Sequence, residues 1–270
     1  MTRRRPAGRS AALALLGSGL AHGALNRWVT GARWQRTNHA GAPVTLLEGP
    51  AYVVGAAIGA ATGDLAGAVA VLGSGAFGAL DDLAGDGSSK GLKGHLGAAA
   101  RGRVTTGLVK VVGIGATGLL AAVLTDRDRE DLDAIDTLVG GALVAATANL
   151  ANLLDLRPGR ALKATLLAGG AILVASDSRG QVSAGAAIGA AVGVLPADLA
   201  GRSMLGDTGA NAAGALIGTA LLESTGRRAR VLALLALTAL TLVSERVSFT
   251  EVIESTPVLR ELDAWGRPPR

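Results

Sequence analysis

Cysteine is absent, which excludes disulfides, thiolate nucleophiles and cysteine-ligated metals. Aromatic residues are scarce: three Trp, one Tyr and two Phe are too few to stack bases along a groove. The net charge of +5 therefore does not point to a nucleic acid. Three histidines, His22, His39 and His95, lie far apart and give no His-x-x-x-His spacing for zinc. There is no Gly-x-Ser-x-Gly elbow, and Gly113–Gly118 lacks the strand and lysine of a phosphate loop. Strand-like alternation and polar helix faces are also missing, which argues against a soluble fold.

What the chain has in abundance is apolar and small residues: 49% hydrophobic, with 40 glycines and a mean hydropathy of +0.41. Nine stretches carry almost no charge. They are Ser10–Val29, Val44–Thr62, Leu65–Leu80, Val104–Thr125, Ala134–Leu154, Ala161–Ala175, Val182–Leu199, Asp207–Ser224 and Val231–Val243. A helix needs about 20 residues to cross hydrocarbon, and the shorter stretches can span if flanking Arg and Lys reach to the interface. The expected fold is all-α, a polytopic membrane bundle of about nine transmembrane helices plus a C-terminal interfacial helix. Residues 1–246 form the membrane domain and 247–270 the tail, where Val252, Ile253, Leu259 and Leu262 alternate with charges. Arg3, Arg4 and Arg5 followed by Ala11–Leu20 read as a first anchor rather than a cleaved leader. In lipid, glycine lets helices approach closely. Gly113, Gly115 and Gly118, and Gly185, Gly189 and Gly193, read as such packing stripes.

Loops after the odd-numbered stretches hold sixteen of the 26 Lys and Arg residues, which places that side in the cytoplasm. The same side carries the unusual polar clusters. Asp81 and Asp82 close the third helix, where a helix dipole and mutual repulsion disfavour them, and a cation or proton would relieve both. Lys90, Lys93, Arg101 and Arg103 follow as partners for phosphate oxygens. Asn149, Asn152 and Asp155 recur every three residues near the inner end of the fifth helix and so share a face. Gly206-Asp207-Thr208-Gly209 opens the eighth helix, where free N–H groups could meet phosphate while Asp207 holds Mg²⁺. Each cluster also has a plain structural reading: helix termination, helix–helix hydrogen bonding and an Asp N-cap respectively.

In order and spacing these clusters resemble the polyprenyl-phosphate N-acetylhexosamine-1-phosphate transferase superfamily, which includes phospho-N-acetylmuramoyl-pentapeptide transferase. The likeness runs from about Arg36 to the end of the ninth stretch. It rests on Arg36-Thr37-Asn38 with Val44-Thr45-Leu46, on Asp81-Asp82 with Lys90-Gly91-Leu92, on Asn149-x-x-Asn152-x-x-Asp155, and on Leu205-Gly206-Asp207-Thr208-Gly209. The resemblance implies a Mg²⁺-dependent exchange in a bacterial cell membrane, with the active face cytoplasmic, serving envelope or cell-wall synthesis. A polyprenyl phosphate, such as undecaprenyl phosphate, attacks the β-phosphorus of a UDP-amino sugar and UMP leaves. By that resemblance Asp207 and Asp82 bind the metal, and Asp81 and Asp82 assist it or deprotonate the lipid phosphate. Lys90, Asn149, Asn152 and Asp155 would handle nucleotide and diphosphate. A homodimer is compatible with such a bundle.

The chain departs from the family in three places. Pro158 stands where a second Asp often follows Asp155, the histidine-rich loop after the ninth stretch is missing, and so is a tenth spanning helix. Asp198 and Arg157 are the candidates to substitute in substrate binding. Two other readings remain open at this level: a degenerate member that binds lipid-linked precursors or scaffolds envelope synthesis, and a CDP-alcohol phosphotransferase. The second draws on Asp64, Ala68, Gly78, Asp82 and Asp86 but lacks that family's Gly and Arg at Leu65 and Val69.

Overall fold

A computed structural model describes residues 5–38, 41–84, 105–176 and 180–268. Among these residues the chain is helical apart from one small hairpin. The helices are α1 (Arg5–Trp28), α2 (Glu48–Ala60), α3 (Leu65–Ala84), α4 (Thr106–Asp126), α5 (Ala134–Leu154), α6 (Arg160–Ala175), α7 (Gly180–Leu199), α8 (Gly206–Ser224), α9 (Arg227–Ser244), α10 (Phe249–Ser255) and α11 (Pro257–Ala264). The first nine coincide with the nine apolar stretches to within a few residues.

Length and composition separate them, however. Four, α3, α4, α5 and α7, are long and apolar enough to cross a membrane, and α9 with α10 passes only as a pair bent by 92°. At 1.5 Å per residue, the 13 residues of α2 and the 16 of α6 reach only about 20 and 24 Å, short of the roughly 30 Å hydrocarbon layer. Nine spanning helices therefore exceed what the helices satisfy by length and composition. The exception that explains most is α8. It carries Asp207, Asn211, Thr219 and Glu223, yet nearly all of it is buried because it runs through the middle of the bundle against α2, α3, α4, α5, α6 and α7. A helix sheathed by other helices need not be lipophilic all round. The outer helices do present apolar side chains outward: Leu72 on α3, Val112 and Leu120 on α4, Leu138 on α5, Val174 on α6 and Leu235 on α9 are exposed.

Small residues set the contacts. A Cβ on Gly185, Gly189 or Gly193 would lie 2.5, 2.0 or 2.7 Å from the carbonyl oxygens of Ala7, Ala11 and Leu15, so one glycine stripe on α7 admits the backbone of α1. Ser10 Oγ on α1 donates to Gly59 O at 3.0 Å and Val182 O at 2.8 Å, tying α1 to α2 and α7. The other expected stripe is only partly one. Gly113 faces the Phe77 ring and Gly118 faces Gly141 O, but nothing lies within 4 Å of a Cβ on Gly115, which at two residues from Gly113 falls on a different helix face.

The bundle has two chemically different ends. At one, α4, α5, α8 and α9 meet in a buried ion pair: Arg230, fully buried, donates to Asp126 Oδ2 and Oδ1 at 2.8 and 2.7 Å and to Leu222 O at 3.0 Å. At the other end the chain between α1 and α2 forms a hairpin of β1 (Gln35–Thr37) and β2 (Pro43–Thr45), with Arg36 opposite Val44. Its tight turn uses Gly41 at φ +79° and Asn38, whose Oδ1 accepts from Ala42 N at 3.0 Å. Thr45 then pairs with the α7–α8 connection, where Met204 N donates to Thr45 O at 3.0 Å. Three strand residues are too few to show a period in the sequence: β1 reads there as loop, and Val44 and Thr45 of β2 read as the start of the second apolar stretch, which the structure corrects.

Candidate functional site

The acidic clusters converge at the hairpin end. Asp81 and Asp82 lie in the last turn of α3, and Asp207 in the first turn of α8. Gly78 makes this possible: a Cβ there would sit 2.2 Å from Asp207 O, so the turn of α3 before Asp81 presses directly on the start of α8. Gly49 of α2 does the same from another side, with Leu205 O at 2.2 Å.

Each of the three carboxylates has a distinct set of partners. Asp82 caps α8: its oxygens accept from Asp207 N at 3.1 Å, Thr208 N at 2.8 Å and Thr208 Oγ1 at 2.6 Å. Two first-turn N–H groups that a phosphate could have used are thus bound by a carboxylate from another helix, and Asp207 is not the N-cap. Gly206, at φ +60°, holds the turn that aims those N–H groups. Asp81 and Asp207 share a single cation, Lys110 of α4, whose Nζ lies 2.7 Å from Asp81 Oδ2 and 2.6 Å from Asp207 Oδ2. Arg36 of β1 donates to the Asp82 carbonyl and, at 2.8 Å, to Gln35 O. The unfavourable carboxylates at the α3 C-terminus are therefore relieved three ways: by an ammonium, by a helix N-terminus and by a guanidinium on the helix's last carbonyls.

Asp155 and Asp198 stand beside this group. Asp155 is the C-cap of α5; burial and the neighbouring Asp198 push its carboxyl well above the usual range, against a hydrogen bond from Gly206 N–H. Asp198 is 2% exposed and accepts from Gly159 N at 3.0 Å. Both line a cavity of about 460 Å³ whose wall also includes Thr37, Asn38, Arg157, Pro158, Ser203 and Arg267. Under it lies Glu48, fully buried, which accepts from Ser203 Oγ on one oxygen and has no partner on the other.

The C-terminal segment completes the wall through Arg267 and Pro268. Arg160 at the start of α6 donates to Asp263 at 2.8 and 3.0 Å and to Thr250 Oγ1 at 2.9 Å, and Lys163 Nζ reaches the Asp263 carbonyl at 2.6 Å. Arg267 Nε donates to Pro158 O at 2.8 Å. Burial works to raise the Asp263 carboxyl, yet Arg160 and Arg267 more than offset it and hold it below its ordinary value. Residues 249–268 thus fold back onto α6 and the cavity. Val258 and Trp265 remain exposed.

Other expected site residues are placed differently. Asn149 is turned outward and donates to Thr241 Oγ1 of α9 at 3.2 Å, which is the helix–helix hydrogen bond that its plain reading foresaw. Asn152 is half-buried and does not line the cavity. Lys90, with Lys93, His95, Arg101 and Arg103, lies outside the described residues. Asp64 sits at the opposite end of α3 from Asp82, about 27 Å away by helical rise, bound to Ser183 and Gly67 N. That separation keeps Asp64 and Asp82 from sharing a site, and Asp86 of the CDP-alcohol pattern lies outside the described residues. Lys110 is the residue that sequence reasoning passed over, as one more loop cation. Its signal was available: it is a lone charge inside the apolar Val104–Thr125 stretch, where an ionisable group is a functional suspect.

The family resemblance implies magnesium at this donor set. Among the described residues no three Asp, Glu or His side chains are arranged to hold a metal ion. The Asp82 oxygens already accept from three donors, and Lys110 occupies one oxygen of each of the other two carboxylates. As arranged, the residues do not fit a divalent ion. No protein-family model matches the chain, and no curated protein matches it.

Proposed function

We propose that this chain is a membrane phosphotransferase that moves a sugar 1-phosphate from a UDP-amino sugar to a polyprenyl phosphate, at the cytoplasmic face of a bacterial cell membrane. The observation that carries the reading is the meeting of Asp81, Asp82, Asp155, Asp198 and Asp207, drawn from the ends of four helices, at one polar end of an apolar bundle beside a 460 Å³ cavity. A lipid phosphate and a water-soluble nucleotide can meet only at such an end. In the exchange a phosphate oxygen of the carrier bonds to the β-phosphorus, the bond from that phosphorus to its bridging oxygen breaks, and UMP leaves with the electron pair. Phosphoryl transfer asks a protein mostly for positioning and for neutralising charge. Arg157 and Arg267 supply positive charge on the cavity wall, and Lys110 supplies it beside Asp81 and Asp207. Asp81 or Asp207, once it gives up Lys110, is placed to take a proton from the lipid phosphate. Asp82 acts by fixing the start of α8, and so is a positioning residue.

The test is UMP release by the purified full-length protein with polyprenyl phosphate and a panel of UDP-sugars, with and without added Mg²⁺. Turnover with at least one sugar is expected, and Asp207→Asn should lower it at least a hundredfold with the fold intact. Absence of UMP release across the panel defeats the enzymatic reading. One observation favours a second reading, a protein that binds lipid-linked precursors without turning them over: the site's carboxylates are already paired within the protein. Unchanged lipid-phosphate binding in an Asp81→Asn/Asp207→Asn variant would support that reading.

A further inference from the structure

We infer that Lys110 is the resident cation of this site, holding by itself the place between Asp81 and Asp207 that the family resemblance gives to a divalent metal. The argument starts from geometry. One ammonium touches one oxygen of each carboxylate, at 2.7 and 2.6 Å, and all three side chains are at least three-quarters buried. An ammonium has three protons; two are directed at these carboxylates, from two different helices, at charge-assisted distances. The residue arrives from a third helix, α4, so the contact is made by the tertiary fold and not by neighbours in sequence.

The same geometry excludes a second cation. Magnesium needs oxygens at about 2.0–2.1 Å in a near-octahedral shell, so both carboxylates would have to close on the point that Nζ now fills. Asp82 already accepts from Asp207 N, Thr208 N and Thr208 Oγ1, so it could join them only by sharing oxygens that hold the start of α8. The first step in binding a metal here is therefore the departure of Lys110, and the ammonium is a competitor for the ion. Removing its charge leaves the acidic pair of Asp81 and Asp207 in a partly buried site without a cation, which is costly unless another cation enters.

The inference stands apart from the transferase reading, because it is read by binding and not by turnover. Mn²⁺ binding to the purified full-length protein, followed by loss of the free-ion electron paramagnetic resonance signal, gives the comparison. Wild type is expected to bind Mn²⁺ at this site only weakly. Lys110→Met should tighten binding at least tenfold, and adding Asp207→Asn to it should abolish the gain. Lys110→Arg, which keeps the charge, should bind no more tightly than wild type. If Lys110→Met does not fold, Lys110→Gln, which keeps a donor and removes the charge, takes its place with the same expected gain. Equal or weaker Mn²⁺ binding in the charge-removing variant overturns the inference, as does wild-type binding that is as tight as that of the charge-removing variant and that Asp207→Asn abolishes while Lys110 is intact.

Discussion

Replacing Asp82 separates a capping role from a chemical one. Its carboxylate accepts two backbone N–H groups of the α8 first turn and the Thr208 hydroxyl, at 2.6–3.1 Å. Losing a helix cap costs about 0.5–2 kcal/mol, and a hydrogen bond to a charged group contributes roughly 1.5–3 kcal/mol. The three bonds share one acceptor and are not independent, and the partly exposed site lets water replace some of what is lost. Asp82→Ala is therefore expected to destabilise the protein by about 2–4 kcal/mol. Asp82→Asn keeps one carbonyl acceptor and loses the interaction of charge with the helix dipole, for about 1 kcal/mol. Reversible unfolding by SDS in mixed micelles measures both, with tryptophan fluorescence as the signal. Trp34 beside the hairpin and Trp28 at the end of α1 both report on this end of the bundle. An Asp82→Ala protein within 0.5 kcal/mol of wild type would refute the capping argument, and so would an Asp82→Asn protein as unstable as the alanine variant. If Asp82→Asn is stable but loses UMP release altogether, Asp82 takes part in the reaction as well as in the fold.

At the far end, Arg230→Met leaves the Asp126 carboxylate buried without its guanidinium, and should cost about 3–5 kcal/mol by the same unfolding measurement. The double variant Asp126→Asn/Arg230→Met should be more stable than Arg230→Met alone; a double variant that is worse would show that the pair is not the source of the loss. The C-terminal helices should respond to acid. Because the folded Asp263 carboxyl is held below its ordinary value of 3.8, its contribution is complete above that value and is lost as pH falls through the lower folded value. Hydrogen exchange in residues 249–268 should therefore accelerate on acidification below about pH 4, relative to its intrinsic pH dependence, and Asp263→Asn should remove that response. Exchange that tracks the intrinsic rate in both proteins would contradict it.

The sequence by itself determined the helices and the order of the acidic clusters. Apolar runs and the breakers between them act over a few residues, so the bounds of α5 and the C-terminal end of α7 could be read directly. It also determined that Asp81, Asp82, Asp155 and Asp207 fall at the same end, because alternate crossings of short helices leave little choice. What it could not decide is which face of each helix looks inward. Asn149 and Asp155 share one helical face by spacing, yet the former meets α9 and the latter the cavity, because α5 ends at Asp155 and the chain turns there. The tertiary structure alone made α8 the central helix, which frees it from the need to be apolar throughout. It alone brought Lys110 to Asp81 and Asp207 across separations of 29 and 97 residues, and the tail to Arg160 across 103. Contacts of that range depend on how glycine-lined helices settle against one another, and no local pattern of residues encodes them.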